Sequence, residues 1–162
     1  MVSPSLSTAF PDRAAPRAAD LGGTLDSTIA MLKANARTGL GQTALRGRNI
    51  GILCEDPQRP EVFLLQRAAT ALGARVALVR PRLDDAEPLP AGRRTGRMLG
   101  RLYDALICVD MPARVVQELR DVAGIPAISD LTGEWIALRA SRPDAQDDGR
   151  CLLQALLVDL CA

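Results

Sequence analysis

A polar turn and two later aspartates are the residues best placed to do chemistry. The turn covers residues 55–59, EDPQR, and directly follows the apolar run NIGILC at 49–54, which predicts a buried strand. Asp110 and Asp130 stand at the ends of two further apolar runs. Ligands of parallel α/β sheets bind beyond the carboxyl ends of the strands. We therefore expect any binding site at this turn, in a mouth with an acidic character.

One βαβ unit should position the turn. Pro60 stands where the first residue of a helix is expected, apolar residues follow at helical spacing, and Gly73 ends the helix. Residues 75–80 predict a second strand. The two strands should be parallel and joined by a right-handed crossover.

Strands and helices alternate through the rest of the chain. Helices are predicted over residues 25–36, 93–103, 112–123 and 150–161, and strands over 105–109 and 126–129. Residues 82–92 and 139–150 are polar and predict loops. The pattern indicates an α/β fold, a three-layer sandwich with a mainly parallel sheet of about four strands flanked by helices. We expect a single domain over residues 23–162 after a flexible N-terminal tail over 1–22.

Composition narrows the class of protein. The 162 residues are 48% hydrophobic and 24% charged, which is typical of a globular domain. A net charge of +1 gives no reason to expect nucleic acid as a partner, and no run approaches the ~20 apolar residues of a membrane span. The four cysteines show no CxxC spacing, which favours reduced thiols, no metal site and a cytoplasmic protein. No cofactor is predicted.

Several phrases at matching spacing resemble the ornithine carbamoyltransferases. They are LRGRNI at 45–50, EDP at 55–57, RMLGRLYD at 97–104, AGIP at 123–126 and LTGEW at 131–135. In that family this half of the protein is the carbamoyl-phosphate domain, a second domain binds the amino acid, and trimers build each active site at a subunit boundary. The resemblance implies a homo-oligomer, or a hetero-oligomer with a full-length carbamoyltransferase. The chain stops where the family's second domain would begin.

The positions that grip the substrate in this family are occupied by other residues. The family has Ser-Thr-Arg-Thr-Arg after the first strand, whereas residues 58–62 are QRPEV. Its His-Pro-x-Gln falls on residues 136–139 or, in a shifted alignment, 148–151, and the chain has no histidine. Pro60 removes a backbone N–H and Glu61 adds negative charge where a phosphate would sit on the helix N-terminus.

These differences predict a truncated domain that has lost the carbamoyl-phosphate-binding motifs, with no catalytic residue. Its role would be that of a non-catalytic interaction or regulatory subunit. Gln58 and Arg59 would be the ligand-binding remnant of the anion loop. The more ordinary interpretation of Arg59 is a solvated residue that pairs with Asp56 or Glu61.

The carboxylates allow an alternative function. Glu55, Asp56 and Asp110 are placed somewhat like the acidic residues of a response-regulator receiver, which hold Mg²⁺ and accept a phosphoryl group. Asp110 would be the phospho-acceptor of such a small-ligand module. The single lysine, Lys33, lies far from where a receiver has its own, and acids that cap helices explain the pattern as well.

Two predicted helices each carry a surface whose role the sequence leaves open. Arg97 and Arg101 lie one helical turn apart and form a basic stripe, which we interpret as structural or interfacial. The leucines of residues 150–161 either cover the sheet or form a surface for a partner.

Overall fold

The computed structural model describes residues 22–38, 43–80, 89–142 and 149–162, with side chains from residue 25 in the first range and from residue 93 in the third. Its helices are α1 (Gly22–Arg37), α2 (Pro60–Ala71), α3 (Leu89–Leu102), α4 (Ala113–Ala123), α5 (Leu131–Ser141) and α6 (Gly149–Leu160). The strands are β1 (Asn49–Leu53), β2 (Arg75–Val79), β3 (Ala105–Cys108) and β4 (Ala127–Ser129). None of the helices in the described ranges is long and apolar enough to cross a membrane.

Four short apolar runs form one parallel sheet with the strand order β2-β1-β3-β4. Ile50 is in register with Val76 on one side and with Ala105 on the other. Because all four strands run the same way, their carboxyl ends meet at one edge. The predicted parallel sheet of four strands is confirmed.

Helices cover both faces of the sheet, because successive strand residues point to opposite sides. Ile50 and Ile107 belong to a core that α1, α2, α5 and α6 cover. Leu53 and Leu106 belong to a second core on the other face, with Leu99 of α3 and residues of α4. The three-layer arrangement is therefore as predicted.

Two predicted loops are partly helical. The prediction of a loop over 82–92 is wrong from Leu89, where α3 begins, since proline is tolerated in a first helical turn. The prediction over 139–150 is wrong for residues 139–141, which end α5, and for Gly149, with which α6 begins. Asp130 caps α5, and its carboxylate accepts a hydrogen bond from the Gly133 amide at 3.0 Å. Residues 81–88 and 143–148, and the predicted tail before Gly22, lie outside the described residues.

The leucines of α6 belong to the main core. Leu152, Leu153, Leu156 and Leu157 are each at most 3% exposed. The helix lies against α1, α2 and α5, so these side chains are already covered within the chain. The interpretation of these leucines as a surface for a partner is wrong.

Candidate functional site

A cleft of about 490 Å³ opens at the carboxyl edge of the sheet. Backbone hydrogen bonds of the sheet continue to its rim, where the Val109 amide donates to the Leu53 carbonyl at 2.8 Å. The polar side chains that line the cleft are Arg59, Glu61, Asp110, Asp130 and Thr132. The apolar part of the wall comes from Leu65 within α2, from Cys108 and Val109 at the end of β3, from Met111 and Pro112 just before α4, and from Leu131 at the start of α5. Of the turn over residues 55–59, where the sequence predicts a site, only Arg59 lines this cleft.

Arg59 is held by two carboxylates of the same chain. It precedes α2 in an extended conformation, and its Nε lies 3.4 Å from Glu61 Oε2. Its Nη1 donates a hydrogen bond to the Asp110 carboxylate. Arg59 follows β1 and Asp110 follows β3, so this bond joins the segments after two neighbouring strands. Glu61, and then Asp110, raise the pKa of the Arg59 guanidinium. The charge of Arg59 is therefore compensated before any ligand arrives.

Glu61 occupies the N-terminus of α2 with its own carboxylate. The backbone N–H of Glu61 itself, followed by Arg59, lowers the pKa of the Glu61 carboxyl. Pro60, at the start of the helix, has no N–H to offer. A negative charge in the first turn is favoured by the helix dipole. The Glu61 carboxylate thus places an internal negative charge at the helix N-terminus, where an external anion would otherwise be attracted.

Asp110 and Asp130 end neighbouring strands in the same unusual backbone conformation. Their φ angles are 60° and 56°, in the left-handed region that Asp tolerates better than most residues. The Asp130 carboxylate faces the start of α5, so closely that a Cβ atom at Gly133 would lie 2.2 Å from Asp130 Oδ2. The Asp110 side chain is 76% exposed. Asp130 thus has a structural role, whereas Asp110 is open to solvent apart from its bond to Arg59.

The predicted site residues do not all meet. Arg59 lines the cleft, whereas Gln58 is not among the residues that line it. The predicted pairing of Arg59 with Asp56 or Glu61 is confirmed for Glu61, whereas the Asp56 carboxylate accepts a hydrogen bond from the Gln58 amide at 2.9 Å. Sequence reasoning missed Asp110 as a partner of Arg59, although it placed both at one edge.

The chemistry available in this cleft is limited. Three carboxylates and one guanidinium line it. Burial raises the pKa of the Cys108 thiol, which also lines the cleft, to about 12, so it is not a thiolate at neutral pH. In the described part of the chain no group of three or more His, Cys, Asp or Glu side chains could hold a metal ion.

Comparison with known proteins identifies relatives by sequence, whereas no family model matches the chain. The chain is 32% identical over 104 residues to ornithine carbamoyltransferase of Haemophilus influenzae and to the catabolic ornithine carbamoyltransferase of Pseudomonas putida. The match covers 64% of this chain and 31% of each relative. The chain thus matches about a third of the length of these curated relatives.

Solved structures share the fold. Ornithine carbamoyltransferase from Pyrococcus furiosus aligns with a TM-score of 0.54 at 21% identity, over 66% of this chain and 34% of that one. The enzyme from Burkholderia thailandensis aligns with a TM-score of 0.56 at 15% identity, over 68% and 38%. An N-acetyl-L-ornithine transcarbamylase complexed with carbamyl phosphate aligns at 0.52 and 17%, over 74% and 45%. The resemblance to carbamoyltransferases is confirmed in sequence and in fold.

Proposed function

We propose that this chain, similar in sequence and fold to ornithine carbamoyltransferases, is a carbamoyltransferase-like domain without carbamoyl-phosphate binding. It acts as a non-catalytic interaction or regulatory subunit. The observation that carries this proposal is the pairing of Arg59 with Glu61 and Asp110 of the same chain. The guanidinium that would hold a phosphate already has two anions.

The electrostatics of the cleft support the loss of binding. A phosphate entering beside Arg59 would meet the carboxylates of Glu61, Asp110 and Asp130 in the same cleft. Two like charges 4 Å apart repel by about 1 kcal/mol in water and about 4 kcal/mol at the effective dielectric of a protein surface. One guanidinium cannot offset three such carboxylates. Residues 58–62, QRPEV, place no second arginine next to Arg59.

A subunit role also requires a partner. We propose assembly of the chain with itself or with a full-length carbamoyltransferase. A cytoplasmic location belongs to the same proposal, and it is supported by the four cysteines, all of which lie in the described residues and none of which forms a disulfide.

The proposal is tested by two measurements on the purified chain. Carbamoyl transfer from carbamoyl phosphate to ornithine should stay at the level of a blank without protein. Sedimentation velocity, on the chain alone and mixed with a full-length ornithine carbamoyltransferase, should show an assembly larger than one chain. Transfer activity, or a chain that stays monomeric in both samples, would refute the corresponding half of the proposal.

The phospho-acceptor alternative rests on the position of Asp110. Its carboxylate is exposed beyond the end of β3 in a left-handed backbone conformation, where strained residues often serve a function. This alternative predicts a Mg²⁺-dependent rise in Tm that Asp110→Asn abolishes. Because that carboxylate binds Arg59, we expect no such rise beyond the effect of a matched concentration of Na⁺.

A further inference from the structure

Helix α3 presents four arginines to solvent on one face. Arg93, Arg94, Arg97 and Arg101 are all exposed, and at 100° per residue they fall within an arc of about 100°. From Arg93 to Arg101 the row is about 12 Å long at 1.5 Å per residue. Within the described ranges none of the four makes an ion pair. We call these four side chains the arginine face.

The arginine face carries repulsion that the chain does not relieve. Arg93, Arg97 and Arg101 follow one another at intervals of four residues, which brings neighbouring side chains together on a helix. Like charges at this spacing destabilise a helix. A row of bound carboxylates would remove the repulsion, so charge complementarity favours an acidic partner.

Two large apolar side chains border the arginine face. Met98 is 53% exposed and Leu102 is 54% exposed. On the helix Met98 lies about 40° and Leu102 about 80° beyond the edge of the arc of arginines, with Leu102 one turn after Met98. Two apolar side chains in a row next to a row of cations match the two faces of an amphipathic helix that is acidic on one side.

Close packing fixes the orientation of this surface. A Cβ atom at Gly100 would lie 2.1 Å from the Ala123 carbonyl oxygen, so α3 and α4 touch backbone to backbone. Leu99, on the opposite side of α3 from the arginine face, is 2% exposed in the second core. The helix backbone that carries the arginines is thus held in place by packing, and the cost of ordering on binding falls on the arginine side chains.

We propose that the arginine face, with Met98 and Leu102, is a docking surface for an acidic amphipathic helix of a partner protein. This inference rests on the proposed function, because it names a surface through which a non-catalytic subunit interacts. Carboxylates at four-residue spacing in the partner pair with the guanidinium groups, which suit bidentate contacts. Apolar residues of the partner pack on Met98 and Leu102, and methionine adapts its shape to the partner.

Other anionic partners fit this surface less well. A membrane-bound helix inserts a continuous apolar face, whereas α3 turns its own apolar face to α4 and leaves two such side chains free. Among residues 93–102, which hold the surface, there is no aromatic side chain to stack on a nucleic-acid base. An overall charge of +1 also gives little attraction to DNA at a distance.

The test is titration of the full chain with a fluorescent 18-residue helical peptide that has Glu on one face and Leu on the other. A scrambled peptide of the same composition, vesicles of phosphatidylserine and a duplex DNA serve as the competing probes. Arg97→Glu/Arg101→Glu should weaken peptide binding by roughly tenfold or more. Met98→Gln/Leu102→Gln should weaken it by several-fold. The control is Arg67→Glu/Arg150→Glu, which makes the same change in charge at exposed positions of α2 and α6, on the other face of the sheet.

Each outcome of this titration either supports or overturns the proposed docking surface. The proposal holds if the amphipathic peptide binds, the scrambled peptide binds more weakly and the control variant matches the parent chain. It is overturned if both peptides bind alike, if the control variant loses as much affinity, or if the vesicles or DNA bind while the amphipathic peptide does not. Loss of self-association in Arg97→Glu/Arg101→Glu without peptide binding would assign the surface to a second copy and also overturn it. Carbamoyl transfer on the same preparation tests the proposed function separately.

Discussion

At the scale of single residues, the cleft is marked by one guanidinium that two carboxylates share. Arg59 contacts Glu61 and Asp110, which come from the first turn of α2 and from the end of β3. Each of these pairs is partly exposed, so each contributes little to the stability of the fold. We propose that their effect is on binding, because they compensate the charge that an anion would need.

Removal of both carboxylates should restore anion binding. In Glu61→Gln/Asp110→Asn the guanidinium of Arg59 loses its internal partners, and we expect inorganic phosphate to bind at about millimolar strength. Isothermal titration measures this directly. Adding Arg59→Gln to the double variant should abolish the heat signal.

A charge-matched control makes that result specific. Glu118→Gln/Asp121→Asn removes two exposed carboxylates of α4, neither of which lines the cleft, and should leave phosphate binding undetectable. If the control bound phosphate as well as the double variant, net charge would explain the gain. If neither variant bound it, the compensation of Arg59 would not be the cause of the lost site.

Three of the four thiols should be inert in the folded protein. Cys54, Cys108 and Cys161 are buried, whereas Cys151 is partly exposed. Burial raises the pKa of Cys108 to about 12 and of Cys161 to about 11, from an ordinary value of 9.0. A disulfide reagent at pH 8 should modify Cys151 first and the other three at the rate of unfolding, and Cys151→Ser should remove the fast phase.

The raised pKa values of Cys108 and Cys161 determine how the free energy of unfolding changes with pH. The protonated thiols are favoured in the folded state, so their contribution is complete below pH 9 and decreases as the pH rises from 9 through 11 and 12. The free energy of unfolding in urea should therefore be lower at pH 10 than at pH 8. Equal values at both pH values, or rapid modification of three thiols, would show that these side chains are accessible.

At the scale of elements, the contact between α3 and α4 fixes how these two helices cover the second face of the sheet. Gly96 lies against Val122, and Gly100 against the backbone of Ala123. Helices approach this closely when a residue at the crossing lacks a side chain.

Gly100→Ala tests this crossing. The added methyl group would meet the Ala123 carbonyl, so the helices must separate, at a cost of about 1–3 kcal/mol. Alanine is the better helix former by ~1 kcal/mol, which offsets part of that cost. Urea unfolding should show a net loss, whereas Arg101→Ala at the exposed neighbour should stay within about 0.5 kcal/mol. A more stable Gly100→Ala variant would contradict the close crossing.

The sequence predicts the elements better than the contacts between them. Short runs rich in Ile, Leu and Ala define the four strands. Pro60 marks the start of α2, and Gly73 and Gly124 follow the ends of α2 and α4. Helix α5 was missed because its apolar residues lack a clear helical period, although Asp130 as an N-cap was a usable signal. The pairing of Arg59 with Asp110 spans 51 residues along the chain. It depends on β1 lying beside β3, so local patterns cannot specify the pair.

At the scale of the whole molecule, the two faces of the sheet differ in the surface that their helices expose. One face is covered by α1, α2, α5 and α6, and its leucines are buried. On the other face, α3 is packed through its glycines and exposes its arginines. The cleft lies at the strand ends between these layers. A chain that keeps these layers while the charge of Arg59 is compensated within the cleft is consistent with the non-catalytic interaction role that we propose.

Isothermal titration of the unaltered chain with carbamoyl phosphate tests the central claim most directly. The account predicts no heat beyond dilution up to millimolar ligand, since Arg59 is compensated by Glu61 and Asp110. Binding at micromolar strength that Arg59→Gln abolishes would show that the cleft still holds this ligand. That result would contradict the account and make the domain a carbamoyl-phosphate sensor.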